Sequence, residues 1–191
     1  MLRKIIDWLS QEYQGNYKSK RARKYAIILG ALWQWVVIPG FFIYFSRIVD
    51  KHLPIRLEMP LIYKVPLIFL FFVVGFYFTY YSISDLAKIG KGSFVPAAGP
   101  PKILVKNGVY KICRHPFYLG QIFLFMGLSL ICSSFFILLA AVPGIITFIF
   151  FYSRLVEEKV LINQFGEEYL IYKKATPFIL PFRIKRAFLK K

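Results

Sequence analysis

Apolar residues along this chain gather into blocks rather than alternating with polar ones, and charged residues lie between the blocks. Two blocks, at about 25–46 and 65–87, have the roughly 20 residues that a helix needs to cross a hydrocarbon core about 30 Å thick. A third runs from Phe117 to Phe151, 35 residues without Lys, Arg, Asp or Glu. It is too long for one crossing and long enough for two short ones, so spans are predicted at 117–132 and 134–153. Cys132-Ser133-Ser134 is the predicted turn. The expected fold is all-α, an integral membrane protein of four spans, and the tail 176–189 or an amino-terminal helix stays open as a fifth. Residues 1–13 place Leu2, Ile5, Ile6, Trp8 and Leu9 largely on one helical face, which suits a helix lying in the headgroup region. Pro39-Gly40 and Pro143-Gly144 are expected to bend their spans, because proline removes an intrahelical hydrogen bond. The aromatics from Phe69 to Tyr81 are expected to serve packing. Gly90 to Pro101 is too rich in glycine and proline for a regular helix, and such long loops are commonly functional.

Composition agrees with a membrane protein. Of 191 residues 58% are hydrophobic and 19% aromatic, and the mean hydropathy is +0.55, above the range of soluble domains. The net charge of +17 would suggest nucleic acid if it lay on a soluble face, but it lies in the loops. Lys and Arg number 22 in residues 1–24, 88–114 and from Arg154 onward, against 4 (Arg47, Lys51, Arg56, Lys64) between the first two spans. That bias predicts both termini and the 88–116 loop in the cytoplasm, with attraction to anionic lipid and no nucleic-acid partner. No cleavable secretory signal is expected, since the first apolar block follows a basic segment without a small-residue cleavage site. Cys113 and Cys132 stand at opposite ends of a span, nearly 30 Å apart by helix rise, too far to pair. Neither has metal-ligand spacing, and no metal is expected.

The candidate chemistry sits at the two ends of the 117–153 hairpin. Leu104-Val105-Lys106-Asn107-Gly108-Val109-Tyr110 leads into Arg114-His115-Pro116-Phe117-Tyr118-Leu119-Gly120, and the hairpin leaves through Arg154-Leu155-Val156-Glu157-Glu158 into Leu161-Ile162-Asn163-Gln164-Phe165-Gly166-Glu167-Glu168-Tyr169-Leu170-Ile171-Tyr172. The turn brings these blocks to the same end of adjacent helices. Residues 154, 157, 158 and 161 are predicted to share a helix side, since positions three and four apart are neighbours. On spacing alone an Arg154–Glu158 pair is a solvated helix-end contact worth a few tenths of a kcal/mol. Paired carboxylates at a membrane boundary beside a histidine are costly unless partnered, and a cationic cofactor is one suitable partner.

These blocks resemble the isoprenylcysteine carboxyl methyltransferase and phospholipid methyltransferase superfamily, over roughly residues 100–182. The resemblance implies S-adenosyl-L-methionine as cofactor, leaving S-adenosyl-L-homocysteine as product. It places His115, Tyr118, Leu119 and Glu157 in the cofactor pocket, with Leu104 and Val105 around the adenine. No Gly-x-Gly-x-x-Gly follows a strand, in keeping with a pocket built outside a Rossmann domain. The chain then divides into a basic segment 1–24, a membrane hairpin with its connecting loop at 25–99, and a cofactor-binding, cytoplasmic-side catalytic subdomain at 100–191. Arg154 and Glu158 are the candidate catalytic residues. A carboxylate acceptor, already ionised, can be held in the fork of Arg154, whereas an amine acceptor needs a base such as Glu158. Both acceptor chemistries stay open, the carboxylate of a prenylated cysteine or similar isoprenoid acid being favoured over phospholipid N-methylation. The acceptor is expected to enter from the bilayer. Membrane sterol reductases share an Arg-His-Pro-x-Tyr-x-Gly block but carry an acidic residue where this chain has Gln121, so an NADPH-dependent reductase is a further alternative, and a non-catalytic membrane scaffold another.

Overall fold

In a computed structural model, residues 19–53, 57–95 and 98–179 are described. The interfacial helix expected over 1–13 and the tail beyond residue 179 lie outside the described residues, as do Pro54 to Arg56 in the connector between the first spans. The chain forms an up-and-down bundle of helices: α1 (Lys20–Val49), α2 (Leu61–Lys88), α3 (Pro116–Ile131), α4 (Ile137–Phe165) and the short α5 (Glu167–Ala175). Three of these, α1, α2 and α4, are long and apolar enough to cross a membrane, while α3, at 16 residues, falls short of span length. The all-α, multi-pass membrane fold thus stands. Only three of its four core helices have span length.

Helix α3 is the shortest of the four and the most enclosed. Its buried positions run from Pro116 to Leu130 and include Gly120, Gln121, Gly127 and Ser129. Against it lies α2, whose buried residues, Gly75, Thr79 and Ser82, are all small. Small residues let helix backbones approach where lipid gives no hydrophobic drive to association. A Cβ on Gly120 would lie 2.8 Å from the Gly75 carbonyl oxygen and 2.9 Å from the Thr79 nitrogen. At this crossing only glycine fits. Helix α1 joins through Phe42, packed edge-on against Phe125 at 5.5 Å, and through a polar chain inside the bundle. There the Gln34 amide donates to Gln121 Oε1 at 3.1 Å, and the Gln121 amide donates to Thr79 Oγ1 at 3.2 Å, tying α1, α3 and α2 together.

The expected turn is present. Ser133 takes a φ of +50°, and Ser134 caps the start of the returning helix by accepting from the Ile137 nitrogen at 3.0 Å. At the same end Asp50 accepts from the Phe136 nitrogen and Lys64 donates to Ser133, which closes the four helices together.

The two expected proline bends are resolved as π-turns. Trp33–Val37 and Ile137–Ala141 are π-helical, and each ends two residues before a proline, Pro39 and Pro143. Widening the preceding turn gives the proline ring room where an α-turn would bring it against the carbonyl four residues back. A third π-turn, Ser153–Glu157, has no proline behind it. It lies at the motif.

Candidate functional site

Each block of the sequence motif is set by a local backbone feature. Gly108 has a φ of +61°, and a Cβ there would fall 2.3 Å from Asp85 Oδ2 at the end of α2. Its conformation asks for glycine, and a larger residue would also have to displace the Asp85 carboxylate. The loop that follows α2 is fastened to α4 by the Gln164 amide, which donates to the Pro101 carbonyl at 2.7 Å. His115 stands outside the helical region, which a following proline disfavours, and Pro116 opens α3. The backbone nitrogens of Arg114 and His115 donate to the carbonyls of Pro177 and Phe178 at 2.9 and 3.2 Å, so the segment after α5 returns to lie along the motif.

The π-turn at Ser153–Glu157 changes which side chains of α4 face inward. Ser153, Val156, Glu157, Glu158 and Val160 are buried, whereas Arg154, Leu155 and Lys159 are exposed. The expected face of 154, 157, 158 and 161 is therefore broken: the extra residue in the turn swings Arg154 away from the two carboxylates. Arg154 stacks instead over Phe150, 4.6 Å to the ring centroid, and lies 5.9 Å from the Phe178 ring. The arginine that meets Glu158 is Arg114, with Nη1 at 2.5 Å from Oε1.

Around Glu157 and Glu158 the charges are laid out as a buried cluster. Glu158, 1% exposed, lies between Arg114 and Lys173, whose Nζ is 2.6 Å from Oε2. Glu157 accepts from the Tyr118 hydroxyl at 2.5 Å and from Ser153 Oγ at 2.9 Å, and its Oε2 is 3.3 Å from His115 Nδ1. Burial alone pulls the imidazole pKa down, but the two carboxylates outweigh it and hold His115 above its ordinary value. Burial and the neighbouring Glu158 charge raise the Tyr169 phenol, and burial pushes the Cys113 thiol up to about 12. Arg114 and Glu158 are close but misaligned for a hydrogen bond. Arg114 Nε, His115 Nε2 and the Tyr169 hydroxyl also lack a hydrogen-bond partner among the described residues. Buried polar atoms without partners are few in folded proteins and mark places where a ligand or water completes the network.

A cleft of about 90 Å³ lies against this cluster. Leu104, Val105, His115, Tyr118 and Glu157 line it, so the geometry brings five of the six cofactor candidates together. The sixth, Leu119, points the other way, into a core cluster with Cys113, Ile149 and Ile179. Arg154 and Glu158 do not line the cleft, whereas Arg114, Tyr110, Tyr169 and Tyr172 do. All four stand in the motif blocks, where spacing alone assigns them no role. The spacing of the tyrosines, three apart in α5, marks one helix face, and that signal was available. Tyr172 fixes the floor of the cleft by donating to the Tyr110 carbonyl at 2.6 Å.

Residues 64–168, more than half of the chain and including the first motif block, most of the second and the crossing of α2 and α3, match the family described as phospholipid methyltransferase. The chain belongs to that family. Among curated proteins, this family member is 42% identical to the protein-S-isoprenylcysteine O-methyltransferase of Mus musculus over 81 residues, 41% of this chain and 28% of that one. It is 38% identical to the Saccharomyces cerevisiae protein of the same name over 108 residues, 53% of this chain and 39% of that one. With methanethiol S-methyltransferase 1 of Bradyrhizobium diazoefficiens it shares 28% identity over 156 residues, 82% of this chain and 51% of the relative. The chain thus spans between about a quarter and a half of the length of these relatives. No solved structure matches it.

Proposed function

We propose that this protein is an S-adenosylmethionine-dependent methyltransferase that acts on the carboxylate of a prenylated cysteine or a similar isoprenoid acid, at the cytoplasmic face of the membrane. The observation that carries the reading is the cleft itself. Its wall combines apolar Leu104 and Val105 with a carboxylate, Glu157, and with buried groups that have no hydrogen-bond partner among the described residues, His115 Nε2 and the Tyr169 hydroxyl. This donor set fits a zwitterionic nucleoside. The apolar residues suit an adenine, Glu157 suits an ammonium or ribose hydroxyls, and a protonated His115 suits a carboxylate. When bound, the cofactor supplies an electrophilic methyl group on a sulfonium. The protein's share is to hold donor and acceptor in line, and positioning of that kind contributes on the order of 7–11 kcal/mol.

The state of the charges favours a carboxylate over an amine acceptor. Glu158, the base an amine would need, is engaged by both Arg114 and Lys173, and such a carboxylate is a poor proton acceptor. Arg154 has no carboxylate partner among the described residues and lies on aromatic rings at the outer side of the same end of α4. Its guanidinium is free to hold an acceptor carboxylate arriving through the bilayer. A second reading is methylation of a small thiol. It is favoured by the match to a methanethiol S-methyltransferase over 82% of the chain.

Calorimetry of S-adenosylhomocysteine with the detergent-purified protein, beside NADPH, tests the class. Saturable binding of the first alone is expected, lost in Glu157→Ala and His115→Ala. Binding of NADPH instead would establish a reductase, and binding of neither a scaffold. Methyl transfer to prenylcysteine acids, lipid amines and small thiols then decides the acceptor.

A further inference from the structure

The segment after α5 does more than end the helix. Pro177 and Phe178 give their carbonyls to the Arg114 and His115 nitrogens, and Ile179 is buried in the core beside Cys113 and Leu119. Between these anchors the Phe178 ring has a fixed place. It meets the His115 imidazole edge-on at 4.8 Å and the Phe150 ring at 5.6 Å. The Arg114 guanidinium lies 5.6 Å from its centroid and that of Arg154 5.9 Å. One aromatic ring thus lies against the imidazole that lines the cleft, the guanidinium paired with Glu158, and the Arg154 guanidinium, which has no carboxylate partner among the described residues. Cation–π attraction acts within about 6 Å of a ring centroid, so both arginines are drawn to the same ring.

We propose that Phe178 is a positioning residue for methyl transfer, a ring clamped by main-chain bonds to the Arg-His motif that orients His115 toward the cleft and Arg154 toward the acceptor. This rests on the methyltransferase reading above. The ring reacts with nothing. Its role is to set two polar groups against each other across an apolar spacer, so that the imidazole keeps its carboxylate contacts and the outer guanidinium has a surface to lie on. The groups that face His115 from the surrounding elements are Glu157 and Glu158 of α4, Tyr118 of α3 and Arg114 before it. Phe178 is the apolar side of that shell.

The test compares Phe178→Leu, which keeps apolar bulk and removes the π face, with Phe178→Tyr, which keeps the ring. In Phe178→Leu the kcat/KM for the acceptor is expected to fall at least tenfold, through a rise in acceptor KM, and S-adenosylhomocysteine affinity to fall severalfold through the disturbed His115, both with little loss of thermal stability. Phe178→Tyr should stay within threefold of wild type in both. A structural role alone would lower cofactor and acceptor binding together in proportion to lost thermal stability. Wild-type values in Phe178→Leu, or equal losses in both variants, overturn the proposal. Histidine-labelled NMR of the whole protein keeps the outcome separate from the methyltransferase reading. The His115 titration midpoint and linewidth should change in Phe178→Leu and not in Phe178→Tyr, whether or not any acceptor is methylated. An unchanged His115 signal in Phe178→Leu would equally overturn it. Failure of the wild type to bind S-adenosylhomocysteine would remove the reading, and the acceptor part of the proposal with it.

Discussion

Gly120→Ala probes whether the backbone contact of α2 and α3 positions the site. The added Cβ would lie 2.4 Å from Thr79 Oγ1, 2.8 Å from the Gly75 carbonyl oxygen and 2.9 Å from the Thr79 nitrogen. Rotation of Thr79 relieves the first contact at the cost of its bond from Gln121. No side-chain movement relieves the other two, because they are backbone atoms of the neighbouring helix. Overpacking of this kind costs about 1–3 kcal/mol, and the better helix propensity of alanine returns about 0.5–1. The net loss is about 0–2.5 kcal/mol, and because two of the three contacts are to backbone the upper half of that range is expected, a fall in Tm of a few degrees for a chain of this length. Gly120 lies four residues beyond Pro116, about 6 Å of helix rise, so a parted α3 carries Tyr118 and His115 with it. S-adenosylhomocysteine affinity should fall severalfold. Gly144→Ala is the control, since a Cβ there meets nothing within 4 Å, and it should match or slightly exceed wild-type stability. Thermal unfolding in detergent and calorimetry measure both. A Gly120→Ala protein as stable as Gly144→Ala would refute the argument.

Other outcomes follow from the charge cluster. Glu158→Gln leaves Arg114 and Lys173 without their carboxylate in a buried place; breaking one side of such a network costs about 3–5 kcal/mol, and thermal unfolding should show a larger loss than Lys173→Ala, whose side chain is partly exposed. Tyr118→Phe removes the 2.5 Å bond to Glu157, while Ser153 and His115 still hold that carboxylate; stability should drop by about 1.5 kcal/mol for a charged hydrogen bond, a fall in Tm of a few degrees, and calorimetry should show weaker S-adenosylhomocysteine binding as Glu157 loses its orientation. His115 has a folded pKa raised above its ordinary value of about 6.5 by Glu157 and Glu158 against burial. Its contribution to stability is therefore fully present below about 6.5 and is lost as pH rises through the raised value. Unfolding measured across that window should show the decline in wild type and not in His115→Gln.

Hydropathy made the helices and the hairpin legible because a bilayer imposes one long-wavelength constraint on sequence, and Cys132-Ser133-Ser134 was legible as a turn because it interrupts the longest uncharged run. The cleft was legible through its motif: Leu104, Val105, His115, Tyr118 and Glu157 all reach it. Two things were not. Arg154 was expected beside Glu158 because a straight α-helix places positions four apart together, and a π-turn adds a residue that no periodicity argument contains. Lys173 and Phe178 arrive from beyond the hairpin, by way of α5 and the turn at Gly166 with its φ of +53°. Contacts made by a returning chain leave no mark in local spacing.

The three π-turns separate structural from functional irregularity. Those at Trp33–Val37 and Ile137–Ala141 are each explained by a proline two residues on, so the backbone would widen there whatever the protein did. The turn at Ser153–Glu157 has no such cause in the chain, and an α-helix would place Arg154 and Glu158 on one face, where they would neutralise each other. Widening the helix instead commits Glu158 to Arg114 and Lys173 and leaves Arg154 facing outward over Phe150 and Phe178. π-Turns concentrate at functional sites, and here the turn does something definite: it turns one expected ion pair into a buried cluster beside the cleft and a separate, exposed cation over aromatic rings.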